Sequence, residues 1–240
     1  MTPPGIVTGL RFEARIARGN AAGVRVACRG MGPERAREAA EELVGQGVSG
    51  LVSFGLAGGL AAEARPGMLV VPSRIVTESG GEIATNALWR ERLCGALRRR
   101  MTIIDAPLAA VRRPLPLYLD KTTAWARTQG FAADMESAAI AAVARRNGLP
   151  FIAVRAVADP VDFSLPQAAL AAMGKDGRLK PWRLALSLWR QPGQIRPLRE
   201  LAGHGAAAKA ALAAAAKAAG PGFAAHEAGE GRRSESRQTG

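Results

Sequence analysis

The chain has 240 residues, 48 % of them apolar, which is enough for one α/β domain with a substantial core. Two cysteines cannot form a disulfide framework, and no long apolar stretch or secretion leader is present, so we expect a cytoplasmic protein. The net charge of +13 comes without zinc-finger spacing or an aromatic RNA-binding motif, so we expect no nucleic-acid partner.

Short apolar runs that lead into glycine alternate with a helical pattern in the first part of the chain. The predicted strands are 5–9, 24–32, 48–55 and 68–76. Pro72 interrupts the last of them, and Pro33 takes the first position of a helix predicted up to residue 44. Strands alternating with helices indicate an α/β fold with a largely parallel or mixed sheet.

The same alternation returns after a middle region that gives no clear pattern. FAADM (131–135) precedes a helix predicted over 136–147, which Gly148 and Pro150 end. FIAVRAVAD (151–159) has the continuous apolar character of a buried strand.

The character of the chain changes after Pro166. We therefore predict a catalytic domain over residues 1–173, a basic, alanine-rich helical extension over 174–220 and a disordered tail over 221–240. The positive charge is densest here, since residues 174–240 hold 12 Lys and Arg but only 5 Asp and Glu.

An apolar stripe lies within the extension. Trp182, Leu186 and Trp189 recur at helical spacing among basic residues. The stripe could pack on the core or across a dimer interface. Alternatively, residues 178–199 could form an interfacial helix on an anionic membrane.

Glycine-rich turns follow three of the predicted strands. In an open α/β sheet, ligands bind outside the carboxyl ends of the strands, where glycine lets the backbone approach closely. The helix after Gly32 offers free N–H groups to an anion such as phosphate, and Arg29 offers a countercharge. Tight turns alone would explain each glycine equally well. The predicted phosphate-binding residues are Gly9, Arg29, Gly30, Gly32 and Gly55.

Two acids, Asp134 and Glu136, stand at the front of the apolar helix predicted from residue 136. Either could cap the helix or complement its dipole, and either could face a ligand. The next strand ends in another carboxylate, Asp159, which the topology directs to the same rim as the glycine turns. Capping and catalysis can both hold, with Asp134 in one role and Glu136 in the other.

FAADMESAAIAAVARRNGLPFIAVRAVADPVD (131–162) resembles the signature of the nucleoside phosphorylase/nucleosidase superfamily. SFGLAGGLAAEARPGMLVVPSRIV (53–76) is similar to the central strand and glycine loop of that family, and RGMGPERAREAA (29–40) to its phosphate-side loop. The resemblance covers roughly residues 5–163. It implies a single-domain phosphorylase/hydrolase-like fold, in which helices flank a central mixed β-sheet and a basic helical appendage follows at the C-terminus.

The resemblance also implies a chemistry, the cleavage of the bond between a purine and its ribose. Asp159 would protonate N7 of the departing purine, Glu136 would accept hydrogen bonds from the ribose hydroxyls, and Met135 would pack against the ribose. Glu13 and Gly58 would belong to the same substrate site. The family needs no metal or organic cofactor, and inorganic phosphate is a candidate co-substrate.

Departures from the family pattern leave the nucleophile open. Hydrolytic members carry acids after the first glycine turn. Here Ala14 occupies the aligned key position and only Glu13 remains, which favours phosphorolysis. Leu56, however, replaces a residue that often holds phosphate. Residues 104–130 offer no clear counterpart of the purine-stacking segment, and Arg155 is expected to be a structural ion-pair partner.

Within the superfamily, DMES (134–137), the compact middle region and the basic tail most resemble the hopanoid-associated phosphorylases. This implies cleavage of adenosylhopane into adenine and a ribosyl or phosphoribosyl hopane. A lipid-linked substrate, peripheral membrane contact through 178–199 and a homo-oligomer are the implied partners. One alternative is a methylthioadenosine/adenosylhomocysteine-type nucleosidase. Another, of a different class, is a non-catalytic nucleoside- or membrane-binding protein.

Overall fold

A computed structural model of the chain describes residues 2–166, 193 and 195–225. In these ranges a mixed ten-stranded sheet carries helices on both faces, which confirms the predicted fold class. The strands are β1 Gly5–Thr8, β2 Arg25–Cys28, β3 Leu51–Gly59, β4 Leu69–Val70, β5 Arg74–Thr77, β6 Glu82–Ala84, β7 Ile103–Ile104, β8 Leu108–Ala110, β9 Ala132–Asp134 and β10 Phe151–Asp159. The helices are α1 Arg11–Asn20, α2 Pro33–Gly45, α3 Ala87–Arg98, α4 Tyr118–Thr128, α5 Ser137–Arg146 and α6 Ile195–Ala219.

Strand β3 is the centre of the sheet and has different partners along its two edges. On one edge, β10 runs parallel to it from residue 51 to residue 58. On the other edge, β1 pairs with Leu51 to Ser53, and antiparallel β9 pairs with Gly58 and Gly59. Between β1 and β9, residues 54–57 have no strand partner on this edge within the described part of the chain. The candidate site lies at this gap.

The two central strands are apolar because helices cover both faces of the sheet. Leu51 and Ala153 contribute to the core cluster that includes α2 and α5. Val52 and Val154 belong to the cluster on the other face, with α1, α3 and α6. Alternation along each strand therefore serves two cores rather than one core and solvent.

The alanine-rich helix α6 is an integral part of the domain. It packs against β10 and α1, and Ala208, Leu212 and Ala215 are completely buried. Small side chains let this helix approach the sheet closely. The segment 195–219 was expected to form an appendage, and its burial moves the edge of the domain beyond the predicted boundary at residue 173.

Part of the predicted disordered tail is also ordered. Pro221–Ala224 forms a 3₁₀ turn in which Phe223 is fully buried, edge to face with Phe54 at 5.8 Å between ring centroids. The indole nitrogen of Trp89 donates a hydrogen bond of 2.9 Å to the carbonyl of Phe223. Residues 226–240 and the stripe of Trp182, Leu186 and Trp189 lie outside the described residues.

The middle of the chain contains α3, α4 and three very short strands, β6 to β8. Strands of two or three residues are too short to show a periodic pattern, which explains why no strand was predicted there. Within the described residues, no helix combines the length and the apolar character that crossing a membrane requires.

Candidate active site

A cavity of about 200 Å³ lies at the gap along the edge of β3. The ends of β1, β9 and β10 meet here, which is where an α/β sheet usually binds its ligand. Most of the lining is apolar, and six charged side chains interrupt it. These are Glu13, Lys121, Asp134, Glu136, Arg155 and Asp159.

Glu13 lies in the first turn of α1 and is 2 % exposed. Its carboxylate accepts hydrogen bonds from the N–H groups of Gly9 at 3.1 Å and Leu10 at 2.8 Å, as a residue in the first helical turn can. The other oxygen accepts, at 2.9 Å, the N–H of Leu56, a residue without a strand partner on the gap edge of β3 within the described part of the chain. Burial raises the pKa of Glu13 to about 7, although the Arg155 guanidinium and the peptide donors oppose the rise.

Arg155 occupies the middle of β10 and is 2 % exposed. Its guanidinium forms an ion pair with Asp134 and donates to the hydroxyl of Ser53 at 2.6 Å. Asp134 also accepts the N–H of Ser137, the first residue of α5, at 3.0 Å. The N-cap residue of α5 is Glu136 rather than the predicted Asp134, which ends β9 two residues earlier. Burial raises the pKa of Asp134, and the Arg155 charge opposes that rise.

Glu136 directly precedes α5 and is 7 % exposed. One carboxylate oxygen accepts the N–H of Gly32 at 2.9 Å, and the other lies 3.6 Å from the Arg155 guanidinium. Glu13, Asp134, Glu136 and Arg155 thus form a buried group, the Arg155 cluster, in which three carboxyl groups share one cation.

Asp159 ends β10 and forms an ion pair with Lys121 of α4, which is 1 % exposed. The Lys121 ammonium also donates to the carbonyls of Pro160 at 2.7 Å and Phe163 at 3.0 Å. Burial raises the pKa of Asp159, and the Lys121 charge opposes the rise. We call Lys121 and Asp159 the Lys121 pair. Lys121 was not predicted from the sequence, because the helix that carries it shows no recognisable pattern.

The peptide groups that were expected to bind phosphate are already occupied by carboxylates. The N–H groups of Gly9 and Gly32 donate to Glu13 and Glu136 respectively. Because a peptide N–H donates one good hydrogen bond, these groups support the acids of the cavity instead of an added anion.

Three other predicted phosphate residues also have different roles. The Arg29 guanidinium is outside the cavity lining and pairs with Glu42 at 3.0 Å. Gly30, at φ 119°, lies against the side chain of Arg35. At Gly55 an added Cβ would stand 2.7 Å from both Glu13 and Arg155, so this glycine makes room for the Arg155 cluster.

The remaining predicted substrate residues, Met135 and Gly58, line the cavity. A Cβ on Gly58 would lie 3.7 Å from a carboxylate oxygen of Asp159. Val111, Pro114 and Leu115 add an apolar wall from the segment between β8 and α4. This wall lies within residues 104–130, where no counterpart of the purine-stacking segment was identified from the sequence.

The two charge clusters lie beside Gly55 and Gly58, three residues and about 10 Å apart along β3. A carboxyl group of raised pKa in each cluster lets the cavity give a proton at one end and accept one at the other. In the described ranges, no group of three or more His, Cys, Asp or Glu side chains has an arrangement suited to a metal ion.

Solved structures share this fold at low sequence identity. The futalosine hydrolase of Helicobacter pylori superposes with a TM-score of 0.66 at 14 % identity, over 90 % of this chain and 95 % of that one. The 5′-methylthioadenosine/S-adenosylhomocysteine nucleosidase of the same organism, bound to butyl-thio-DADMe-Immucillin-A, gives 0.66 at 15 % identity over 91 % and 96 %. The nucleosidase of Colwellia psychrerythraea, in complex with adenine, gives 0.66 at 16 % identity over 90 % and 95 %.

No curated protein sequence matches the chain significantly. The sequence profile of the Phosphorylase superfamily, in contrast, matches residues 4–177, well over half of the 240 residues. This match confirms the prediction of an enzyme of the nucleoside phosphorylase/nucleosidase type. The chain belongs to the Phosphorylase superfamily.

Proposed function

We propose that the protein hydrolyses the N-glycosidic bond of an adenine nucleoside. The observation that carries this proposal is the placement of two different charge clusters on one apolar cavity. Breaking an N-glycosidic bond requires a proton for the departing base and stabilisation of a cationic sugar. The Lys121 pair can supply the proton, and the anionic Arg155 cluster suits the cation.

Asp159 acts as the general acid. As the bond between C1′ and N9 breaks, its electron pair moves onto the purine, and N7 takes the proton of the Asp159 carboxyl group. An acid that works near neutral pH needs a pKa above that of a free carboxyl group, and burial at the end of β10 moves the pKa of Asp159 in this direction.

Glu136 and Met135 hold the sugar. The Glu136 carboxylate accepts hydrogen bonds from the ribose 2′- and 3′-hydroxyls, and its position is fixed by the N–H of Gly32. Three carboxyl groups with one guanidinium favour the positive charge that develops on the ribose in the transition state.

Water is the nucleophile, and Glu13 is the base. The water oxygen bonds to C1′ while one of its protons passes to the Glu13 carboxylate, whose pKa of about 7 matches this task. Phosphate is disfavoured, because the carboxylates repel it and occupy the N–H groups of Gly9 and Gly32. Ala14 favours phosphorolysis, but Glu13, which α1 brings to the cavity, supports hydrolysis.

Adenosylhopane is the substrate that we propose first, with ribosyl hopane and adenine as products. The apolar cavity lining and the basic, tryptophan-containing segment suit a nucleoside with a large apolar 5′ group. A methylthioadenosine/adenosylhomocysteine-type nucleosidase is the second candidate. The nucleosidase structures of the same fold, one bound to a butylthio inhibitor, favour it.

A lipid-linked substrate would bring the enzyme to the inner face of the membrane. Of the proposed contact region 178–199, most lies outside the described residues. A second apolar surface supports the proposal, because Leu117, Tyr118 and Leu119 are more than half exposed shortly after Leu115, which lines the cavity. We also propose a homo-oligomer, as the resemblance implies.

Release of free adenine tests the proposed function. Purified protein is incubated with adenosylhopane, methylthioadenosine and adenosine, with and without phosphate, in water enriched in ¹⁸O. We expect adenine from at least one nucleoside without phosphate, together with ¹⁸O at the sugar C1. A rate that depends on phosphate would exclude hydrolysis, and no release from any nucleoside would refute the enzyme proposal.

A further inference from the structure

We propose that Lys121 is the positioning residue of the general acid: its buried ammonium holds one oxygen of Asp159 and turns the other toward the leaving purine. This role rests on the proposed function, because it assumes that Asp159 protonates the departing base. The proposal gives a function to a lysine that no sequence motif marks as a site residue.

Three contacts fix the ammonium group. Lys121 donates to Oδ2 of Asp159 and to the carbonyls of Pro160 and Phe163. An ammonium has three N–H groups, so each of them has one acceptor. A fully engaged lysine with 1 % exposure has little freedom to leave Asp159.

The same contacts orient the acid. Within the described residues, Lys121 is the only hydrogen-bond donor to Asp159, and it contacts Oδ2. Both carboxylate oxygens lie near Gly58, which lines the cavity. Because Lys121 contacts Oδ2, Oδ1 has no hydrogen-bond donor within the described residues and is available to a ligand. The contacts to residues 160 and 163 also fix the backbone that follows Asp159.

Other charged groups face the same carboxyl group. His204 of α6 contributes a weaker positive influence, and its ring packs on Phe163 at 5.0 Å between centroids. The remaining charges of the cavity, Glu13, Glu136 and Arg155 among them, belong to the Arg155 cluster. Lys121 is the largest charge effect on Asp159, and it opposes the rise in the pKa of Asp159 that burial causes.

Two substrates separate this role from a structural one. An adenine nucleoside needs a proton on its leaving group, whereas p-nitrophenyl β-D-ribofuranoside releases a stable phenolate that needs none. Lys121→Met should lower the kcat for the adenine nucleoside at least tenfold relative to the kcat for the nitrophenyl riboside. Because the Lys121 charge lowers the pKa of Asp159, its loss should also move the alkaline limb of the pH–rate profile for the adenine nucleoside to higher pH. Lys121→Arg should restore most of the ratio.

Lys209→Met is the matched control, since it removes an exposed ammonium from α6. If Lys121→Met slows both substrates equally, or leaves the alkaline limb in place, the positioning role is refuted. The double variant Asp159→Asn/Lys121→Met provides a check that remains valid if the variants lose some stability. Compared with Asp159→Asn alone, it should show the same ratio of the two kcat values, because the acid that Lys121 positions is already absent. Failure of the wild type to cleave either substrate would refute the proposed function instead.

Discussion

The Arg155 cluster and the Lys121 pair line the same cavity but balance their charges differently. In the Arg155 cluster, Glu13, Asp134 and Glu136 share one guanidinium, so carboxyl groups are in excess. In the Lys121 pair, one carboxyl group faces one ammonium. Both clusters are almost fully buried, so the difference in charge balance is not softened by solvent.

This difference matches two tasks. Carboxylates in excess stabilise a positive charge and can accept a proton, and one of them, Glu13, has a pKa near neutrality. A matched pair holds one acid in a defined orientation. An excess of cations at either end would have favoured an anionic substrate, whereas this cavity suits a neutral nucleoside that passes through a cationic transition state.

The largest expected effects come from removing one acid at each end. Asp159→Asn should lower kcat for an adenine nucleoside at least about a hundredfold, with a much smaller loss for p-nitrophenyl β-D-ribofuranoside. Glu13→Gln should slow both substrates, because both need the attacking water to be activated. Asp162→Asn and Glu38→Gln, which alter exposed acids outside the cavity lining, are the controls. Equal losses for both substrates in both variants would mean that the two clusters do not divide the work.

A smaller effect concerns the pH dependence of stability. The pKa of Glu13 is higher in the folded chain, about 7, than its ordinary 4.5, so the stability linked to this group is full below pH 4.5 and is lost as the pH rises through 7. Relative to wild type, Glu13→Gln should therefore gain about 3 kcal/mol in free energy of unfolding between pH 4 and pH 8. The activity of the wild type should instead rise with pH, and the acid limb of its pH–rate profile should lie near pH 7. Denaturant unfolding and rate profiles at matched pH check both, and a pH-independent difference between the two proteins would contradict the assignment.

The sequence predicted the Arg155 cluster better than the Lys121 pair. Glu136 of the Arg155 cluster and Asp159 of the Lys121 pair were both predicted, because each terminates or follows an apolar run that predicts an element. Lys121, the other half of its pair, was not predicted. Lys121 lies in α4, where exposed Tyr118 and Leu119 and buried Lys121 invert the usual amphipathic pattern. No periodicity rule finds a helix of this kind, because its buried side carries the charge.

The predicted phosphate residues show a second limit. Glycine turns correctly marked the carboxyl ends of the strands, but they did not show which acceptor their N–H groups meet. The N–H of Leu56 meets Glu13, 43 residues earlier, and the N–H of Gly32 meets Glu136, 104 residues later, so these contacts depend on the tertiary structure. Likewise, the alanines of α6 predicted a helix but did not predict its burial, because small side chains carry little hydrophobic signal.

The smallest effects distinguish the two clusters through their glycines. Gly55→Ala would place a methyl group 2.7 Å from Glu13 and Arg155, which must move, so kcat should fall about tenfold or more for both substrates. Gly58→Ala meets Asp159 only at 3.7 Å, an ordinary contact, so kcat should change less than about threefold. Steady-state kinetics of the two variants provide the comparison, with thermal melting to confirm folding. If Gly58→Ala were the more damaging, space at the Asp159 end would be tighter than at Glu13. The matched pair would then be the less tolerant half of the site.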